Sequence, residues 1–160
     1  MADGELSGGC QCGAVRYRFA GPADQVALCH CRMCQKATGS IAWAFFTAPR
    51  DKVTWTRGQP TLYRSSAAAQ RGYCAACGTP LTFEPEDEDS LDLGVATLDT
   101  PAVLRPTVQY WAGARMPWFG ELAELPIAAD ALESDEDHRR RPYQHPDHDT
   151  AVWPPAEEEK

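Results

Sequence analysis

Cys29-His30-Cys31-Arg32-Met33-Cys34 places three thiols within six residues, and the other four cysteines sit in two short groups, Cys10-Gln11-Cys12 and Cys74-Ala75-Ala76-Cys77. Side chains alternate along an extended chain, so residues i and i+2 point the same way. Cys10 and Cys12 therefore share a side, and Cys29 and Cys31 share another with His30 turned away. That spacing presents two thiolates to one ion and is poor for a disulfide between them. The C-x-x-C turns at Cys31–Cys34 and Cys74–Cys77 deliver two thiolates to tetrahedral Zn²⁺ at ~2.3 Å. Gly78, directly after Cys77, supplies the backbone freedom such a turn uses.

Counting ligands divides the seven. Cys10, Cys12, Cys74 and Cys77 supply four thiolates, a closed structural site, if the fold brings residues 10–12 beside residues 74–77. Cys29, Cys31 and Cys34 supply three and leave a fourth position for water or substrate, which is what a site that performs chemistry requires. A β-bulge would instead turn His30 into a fourth ligand of a second structural site. Buried free cysteines and disulfides are the remaining readings. A thioredoxin-type redox role needs a β-α-β context that is missing. Thiolate-rich mononuclear spacing favours zinc over iron.

The elements that must position these groups are short. Val15, Tyr17 and Phe19 alternate with Arg16 and Arg18, the period of a strand with one buried face. Val26–His30 is expected to be a strand leading into the central cysteines, and Met33–Thr38 one helical turn closed by Gly39. Ser40–Thr47 reads as a buried strand, Val53–Arg57 as an alternating one, and Thr61–Ser65 as the start of another. Ser66–Gln70 reads as a loop. Gln70–Cys74 and Leu81–Phe83 form the arms of a hairpin-like unit around Cys74 and Cys77. Pro85–Ser90 is an acidic loop, after which Leu91, Leu93 and Val95 share one face, and Val108 and Tyr110 share another. Many short strands without a long 3.6-period segment predict a mainly β fold.

One domain is expected over residues 1–130, with residues 131–160 an acidic, Pro/His-rich tail, mostly disordered. Residues 131–160 carry nine acids against four bases, and the whole chain has a net charge of −8. His138, His145 and His148 would then bind metal only adventitiously, with a frayed helix near residues 128–136. Such an acidic chain has no attraction for nucleic acid or anionic membrane surfaces. The longest apolar run, Ile41–Phe46, is far short of the ~20 residues a membrane helix needs. The opening MADGELSGGC has neither the basic region nor the apolar core of a secretory signal, so a cytoplasmic, reducing location is expected, where thiols stay free.

With these residues in place the chain resembles the glutathione-dependent formaldehyde-activating enzyme family, whose domain has an Mss4-like fold. The matching stretches are GGCQCGAVRYRF (8–19), CHCRMCQKATGS (29–40), QRGYCAACGTPL (70–81) and ATLDTP (96–101), with a weaker match at WAGARMPWF (111–119). The resemblance implies a mainly β fold of several small coiled antiparallel sheets around two zinc ions. Cys10, Cys12, Cys74 and Cys77 would hold the structural ion, and Cys29, Cys31 and Cys34 the catalytic one. It also implies a carbon–sulfur lyase that joins formaldehyde to glutathione as S-hydroxymethylglutathione. One departure stands out: family members commonly carry a His where this chain has Gln109, and Gln has no acid–base chemistry near neutral pH.

On that reading an open zinc at the central triplet lowers the pKa of a small thiol such as glutathione, which attacks a small carbonyl. Three thiolates already donate heavily to the ion, so an exchangeable thiol complex is expected rather than a zinc-hydroxide hydrolase. Arg32, Lys36 and Arg71 are the candidate contacts for an anionic substrate. Trp43, Phe45, Trp55 and Trp118 could line a pocket, although core packing is the commoner use of such residues. A non-catalytic zinc-stabilised binding module or thiol sensor is the alternative, and a nucleic-acid-binding zinc ribbon is opposed by the charge.

Overall fold

The computed structural model describes residues 4–127 and 143–154. Ten strands dominate: β1 (Leu6–Gly9), β2 (Arg16–Phe19), β3 (Asp24–Cys29), β4 (Trp43–Pro49), β5 (Val53–Arg57), β6 (Thr61–Arg64), β7 (Ala69–Tyr73), β8 (Pro80–Pro85), β9 (Ser90–Gly94) and β10 (Val108–Tyr110). The single α-helix among the described residues, α1 (Arg32–Thr38), leads into Gly39 at φ 65°, so the expected helical turn forms and ends where the sequence indicates. The fold is mainly β, as expected, in a three-stranded sheet ordered β1-β2-β5 and a seven-stranded sheet ordered β10-β3-β4-β9-β8-β7-β6. Pairing is antiparallel throughout except between β10 and β3, which run parallel. The expected loop at Ser66–Gln70 gives up Ala69 and Gln70 to β7, where they pair with Pro85 and Glu84. Among the described residues, no helix is long and apolar enough to cross a membrane.

Strand β4 shows how the core and the cleft are separated. Its side chains alternate, and both faces are covered. Phe46 and Ala48 enter the main core with Tyr17, Phe19, Leu81, Leu91 and Leu93. Trp43 and Phe45 point the other way and pack with Ala27, Cys29 and Cys34. Next to it, β9 repeats the division: Leu91 and Leu93 are buried in the core, while Asp92 lines the cleft on the opposite face. Tyr17, Phe19, Phe46, Leu81 and Leu93 have almost no exposure. Each such side chain contributes about 1.5–3 kcal/mol through removal from water. The three-stranded sheet thus covers one face of the larger sheet and leaves the aromatic half of β4 for the site.

Two features depart from the sequence expectation. Arg16, placed on the outer face by alternation, is only 3% exposed. Its guanidinium is held by Asp99 at 2.6 Å and by Asp149 at 2.8 Å. Asp149 belongs to the stretch expected to be a disordered tail, yet residues 143–154 lie against the small sheet. Asp149 also binds Arg18, Arg57 donates to the carbonyl of Thr150, and the His145 N–H donates to the Gln11 carbonyl at 2.7 Å. His145 itself is 4% exposed, its ring edge-on to Trp153, where an adventitious surface ligand was expected. Composition concealed this docking because its anchors, Asp149 and His145, find their partners more than a hundred residues earlier. The expected helix near 128–136, and His138, lie outside the described residues.

Candidate metal centres

The loop after β1 and the β7–β8 turn meet, and the four outer cysteines converge with all four sulfurs within 4.8 Å of one another. Cys10 and Cys12 sulfurs are 3.6 Å apart, and Cys12 and Cys74 sulfurs 3.8 Å apart. A tetrahedron with metal–sulfur bonds of ~2.3 Å has sulfur–sulfur edges of about 3.8 Å, so the spacing fits one ion. The turn is shaped by its own backbone: Gly78 takes φ 78°, its N–H donates to the Cys74 carbonyl at 2.8 Å, and Cys74 N–H to the Thr79 carbonyl at 2.9 Å. Gln11 N–H donates to the Thr79 hydroxyl oxygen at 3.0 Å, tying the two loops together.

At the end of β3, Cys29, Cys31 and Cys34 bring their sulfurs within the same distance of one another. Cys31 caps α1, its sulfur accepting the Cys34 N–H at 3.3 Å. His30 is fully buried and stands outside both thiol groups, so its imidazole does not join the three sulfurs.

The thiols need a cation to share one volume as anions. Burial pushes Cys10 up to about 12, against the pull of the Val15 N–H. Burial also pushes Cys34 up to about 12, and the Arg71 guanidinium opposes it only in part. Donors reverse the balance at two positions. Burial would raise Cys77, but the Thr79 hydroxyl and nearby N–H groups hold it at about 6. At Cys31 the N–H of Cys34 likewise outweighs burial and lowers the thiol. Each cluster is therefore a set of crowded soft donors with preformed N–H support, the donor set of a thiolate metal site.

The central triplet opens into a cavity of about 730 Å³. Trp43 and Phe45 stack at 5.2 Å and line it, as the sequence allowed. Trp55 instead packs edge-on against Tyr17, and Trp118 is exposed. Of the three candidate cations, Arg71 reaches the site: its Nη2 donates to the Cys34 sulfur at 3.3 Å. The guanidinium lies over the rings of Phe83, at 4.9 Å, and Trp43, at 5.8 Å. Lys36 lines the neighbouring hollow. Arg32 does not line either cavity; it folds back onto Gln35 of its own helix.

Several contributors were not singled out from sequence. Gln35 is buried and donates to the carbonyls of His30, at 2.9 Å, and Ala114, at 3.2 Å, fixing the segment between the ligands. A polar residue directly after the last cysteine of a C-x-x-C turn was its available signal. Phe83, Asp92 and Tyr110 also line the cleft. They arrive there through strand order, which local pattern does not reveal.

Comparison with known proteins bears on these centres. A family profile described as glutathione-dependent formaldehyde-activating enzyme matches residues 5–114, which include all seven cysteines. The chain belongs to that family. A Schizosaccharomyces pombe protein named as an uncharacterized lyase is 30% identical over 79 residues, 49% of this chain and 57% of that protein. A Fusarium vanettenii protein named as a putative glutathione-dependent formaldehyde-activating enzyme is 32% identical over 90 residues, 55% of this chain and 48% of that protein. The chain thus spans about half the length of the curated relatives it matches. A crystal structure of a Rhodobacter sphaeroides protein superposes with a TM-score of 0.52 at 23% identity, covering 64% of this chain and 98% of that one. It shares the fold.

The Gln109 position, at which the resemblance implies a His, has a structural context. Gln109 on β10 faces His30, its Oε1 accepting from Nε2 at 2.9 Å. Gln109 does not line the cavity above the triplet; it is exposed on β10, and its side chain serves the hydrogen bond to the buried His30 ring.

Proposed function

We propose that the protein is a zinc-dependent carbon–sulfur lyase acting on an adduct of glutathione, or a similar small thiol, with formaldehyde or another small carbonyl. The observation that carries this reading is the inequality of the two thiol clusters: four sulfurs converge at one, and three converge at the other beneath an open cavity. The family membership and the relatives' names support the reaction class.

Cys10, Cys12, Cys74 and Cys77 would hold a structural Zn²⁺, and Cys29, Cys31 and Cys34 the catalytic one. A zinc ion bound by three protein thiolates supplies a position where a thiol ionises near neutral pH. The chain's own residues do the rest. In the forward direction the thiol sulfur bonds to the carbonyl carbon, and its proton ends on the former carbonyl oxygen. The reverse breaks that C–S bond and returns the proton to sulfur. Arg71 draws charge from the Cys34 sulfur, which keeps the triplet from over-donating. Trp43, Phe45 and Phe83 wall the cleft and limit water beside the reacting carbon. Gln35 and the Cys34 N–H hold the segment between the ligands in place.

The test is exchange spectroscopy with ¹³C-formaldehyde and glutathione. Wild-type protein is expected to speed exchange between free and S-hydroxymethyl carbon, and Cys29→Ser to abolish the acceleration while the melting curve stays close to wild type. Native mass spectrometry should then show one metal ion fewer per chain. Two bound ions with no acceleration for any thiol would leave a non-catalytic zinc module as the reading.

A further inference from the structure

Residues 143–154 lie beyond the stretch that the family profile matches, residues 5–114, yet they rest on the loop that carries Cys10 and Cys12. That loop ends at Gly13, which takes φ 73°. A Cβ there would overlap the His145 ring and come within 2.8 Å of Trp153 Cδ1, so the two rings cover the bare backbone. The His145 N–H donates to the carbonyl of Gln11, between the two cysteines, at 2.7 Å. Arg57 joins loop and segment: Nη1 donates to the Gly13 carbonyl at 3.1 Å, and Nη2 to the carbonyl and hydroxyl oxygens of Thr150. Thr150 in turn hydrogen-bonds His145 Nε2 at 2.9 Å. Asp149 anchors the segment on Arg16 and Arg18. Cys10 lines a hollow of about 200 Å³ whose walls include Gln144, His145 and Asp147 of the same segment.

We propose that residues 143–154 are a latch on the four-cysteine centre: His145 and Trp153 position the Cys10–Cys12 loop, and release of the latch sets the rate at which a bound metal ion leaves. The inference rests on the metal reading of Cys10, Cys12, Cys74 and Cys77 and is independent of the lyase chemistry. Metal–thiolate bonds break one after another, so an ion leaves such a centre through a local opening of one ligand loop. The Gln11 and Gly13 carbonyls find their donors outside the β1–β2 hairpin, in His145 and Arg57. Opening the loop on this side therefore breaks contacts that the latch makes or shares, and lifts Gly13 from under two rings. The central triplet is not under the same control, because no residue of 143–154 lines its cavity. The latch thus sets the two centres apart in how readily they exchange metal.

The experiment follows zinc as it passes from the full-length, zinc-loaded protein to a chromogenic chelator. Wild type is expected to release its ions in two phases, the slower one from the four-cysteine centre. Trp153→Ala, and separately Asp149→Asn at the far anchor, should each quicken the slower phase about tenfold, the effect of one or two lost contacts on a local opening. The faster phase should keep its rate. Trp153→Phe, which retains a ring over Gly13, should release zinc nearly as slowly as wild type. Gln109→Leu, destabilising but remote from the latch, separates positioning from general stability: its slower phase should match wild type at a comparable loss of melting temperature. Zinc content and melting temperature report whether each variant folds. Equal quickening by Gln109→Leu, or an unchanged slower phase in the folded latch variants, overturns the latch and leaves the metal reading intact. A wild type that holds no zinc at the four-cysteine centre removes both.

Discussion

Gln109 Oε1 lies 2.9 Å from His30 Nε2 across the parallel β3–β10 pairing, and the His30 ring is fully buried, edge-on to Phe119 at 4.8 Å. Because the amide oxygen only accepts, Nε2 is the donor in this bond. Nδ1 has no partner among the described residues. Gln109→Leu should leave the second ring nitrogen unpaired as well, at a cost of about 1–3 kcal/mol. Differential scanning calorimetry should register a melting temperature lower by several degrees with two metal ions still bound.

Arg71 connects the cleft to a candidate metal ligand, Cys34. Arg71→Gln removes the cation above Trp43 and Phe83 and weakens the donor at the Cys34 sulfur. The affinity of the central site for metal should fall about 10–100-fold, the usual effect of losing a group that supports a ligand. Competition with a chromogenic chelator will measure it. The four-cysteine site should be unaffected in the same titration.

Asp92 gives the protein a pH-dependent stability term of unusual sign. Burial pushes its carboxyl up to about 6, offset only in part by the Thr47 hydroxyl. A folded pKa above the unfolded value of about 3.9 contributes stability that is complete below that value and lost as pH rises through about 6. Asp149, held low by Arg16 and Arg18, works the other way. So does Asp99, where burial is outweighed by Arg16 and Ser7. Their stabilisation is present above about pH 4 and lost on acidification through their lowered pKa values. Asp92→Asn keeps an acceptor for Thr47 and carries no charge. It should melt a few degrees above wild type at pH 8 and no higher at pH 4.

The docked segment makes a further prediction. Asp149→Ala leaves the buried Arg16 with Asp99 alone and Arg18 with Glu5 alone. A loss of about 1–2 kcal/mol is expected. Hydrogen exchange at the Gln11 and Gly13 amides should quicken with it, since His145 is held over that loop by the same segment.

How far the sequence speaks depends on how local each determinant is. The central triplet and the Cys10/Cys12 and Cys74/Cys77 pairs follow from alternation and C-x-x-C turns, which act over a few residues, and so do α1 and its end at Gly39; the meeting of the two outer pairs belongs to the fold. The face division of β9 was legible in Leu91 and Leu93 for the same reason. Arg71 and Arg32 looked equivalent from their distance to cysteines along the chain. Only the pairing of β7 with β8, which sets Arg71 beside Phe83, separates them. Gln109 could not be interpreted until β10 was found parallel to β3, and the burial of Arg16 awaited a partner at position 149. Composition misjudged that stretch because a few well-placed side chains dock it, and averages dilute them.

The two thiol clusters also differ in how much chain they enclose. Cys12 and Cys74, whose sulfurs nearly touch, are separated by 62 positions, whereas the central three thiols span only residues 29–34. An ion in the first cluster is a crosslink. Closing a loop of that length limits the unfolded chain by about 4 kcal/mol on a loop-entropy basis. It does so without a disulfide and hence survives reductants. An ion in the second cluster closes almost nothing and leaves the unfolded ensemble nearly unchanged. Stripping metal should therefore proceed in two unlike events, a silent departure from the open triplet and a later one that takes the tertiary structure with it.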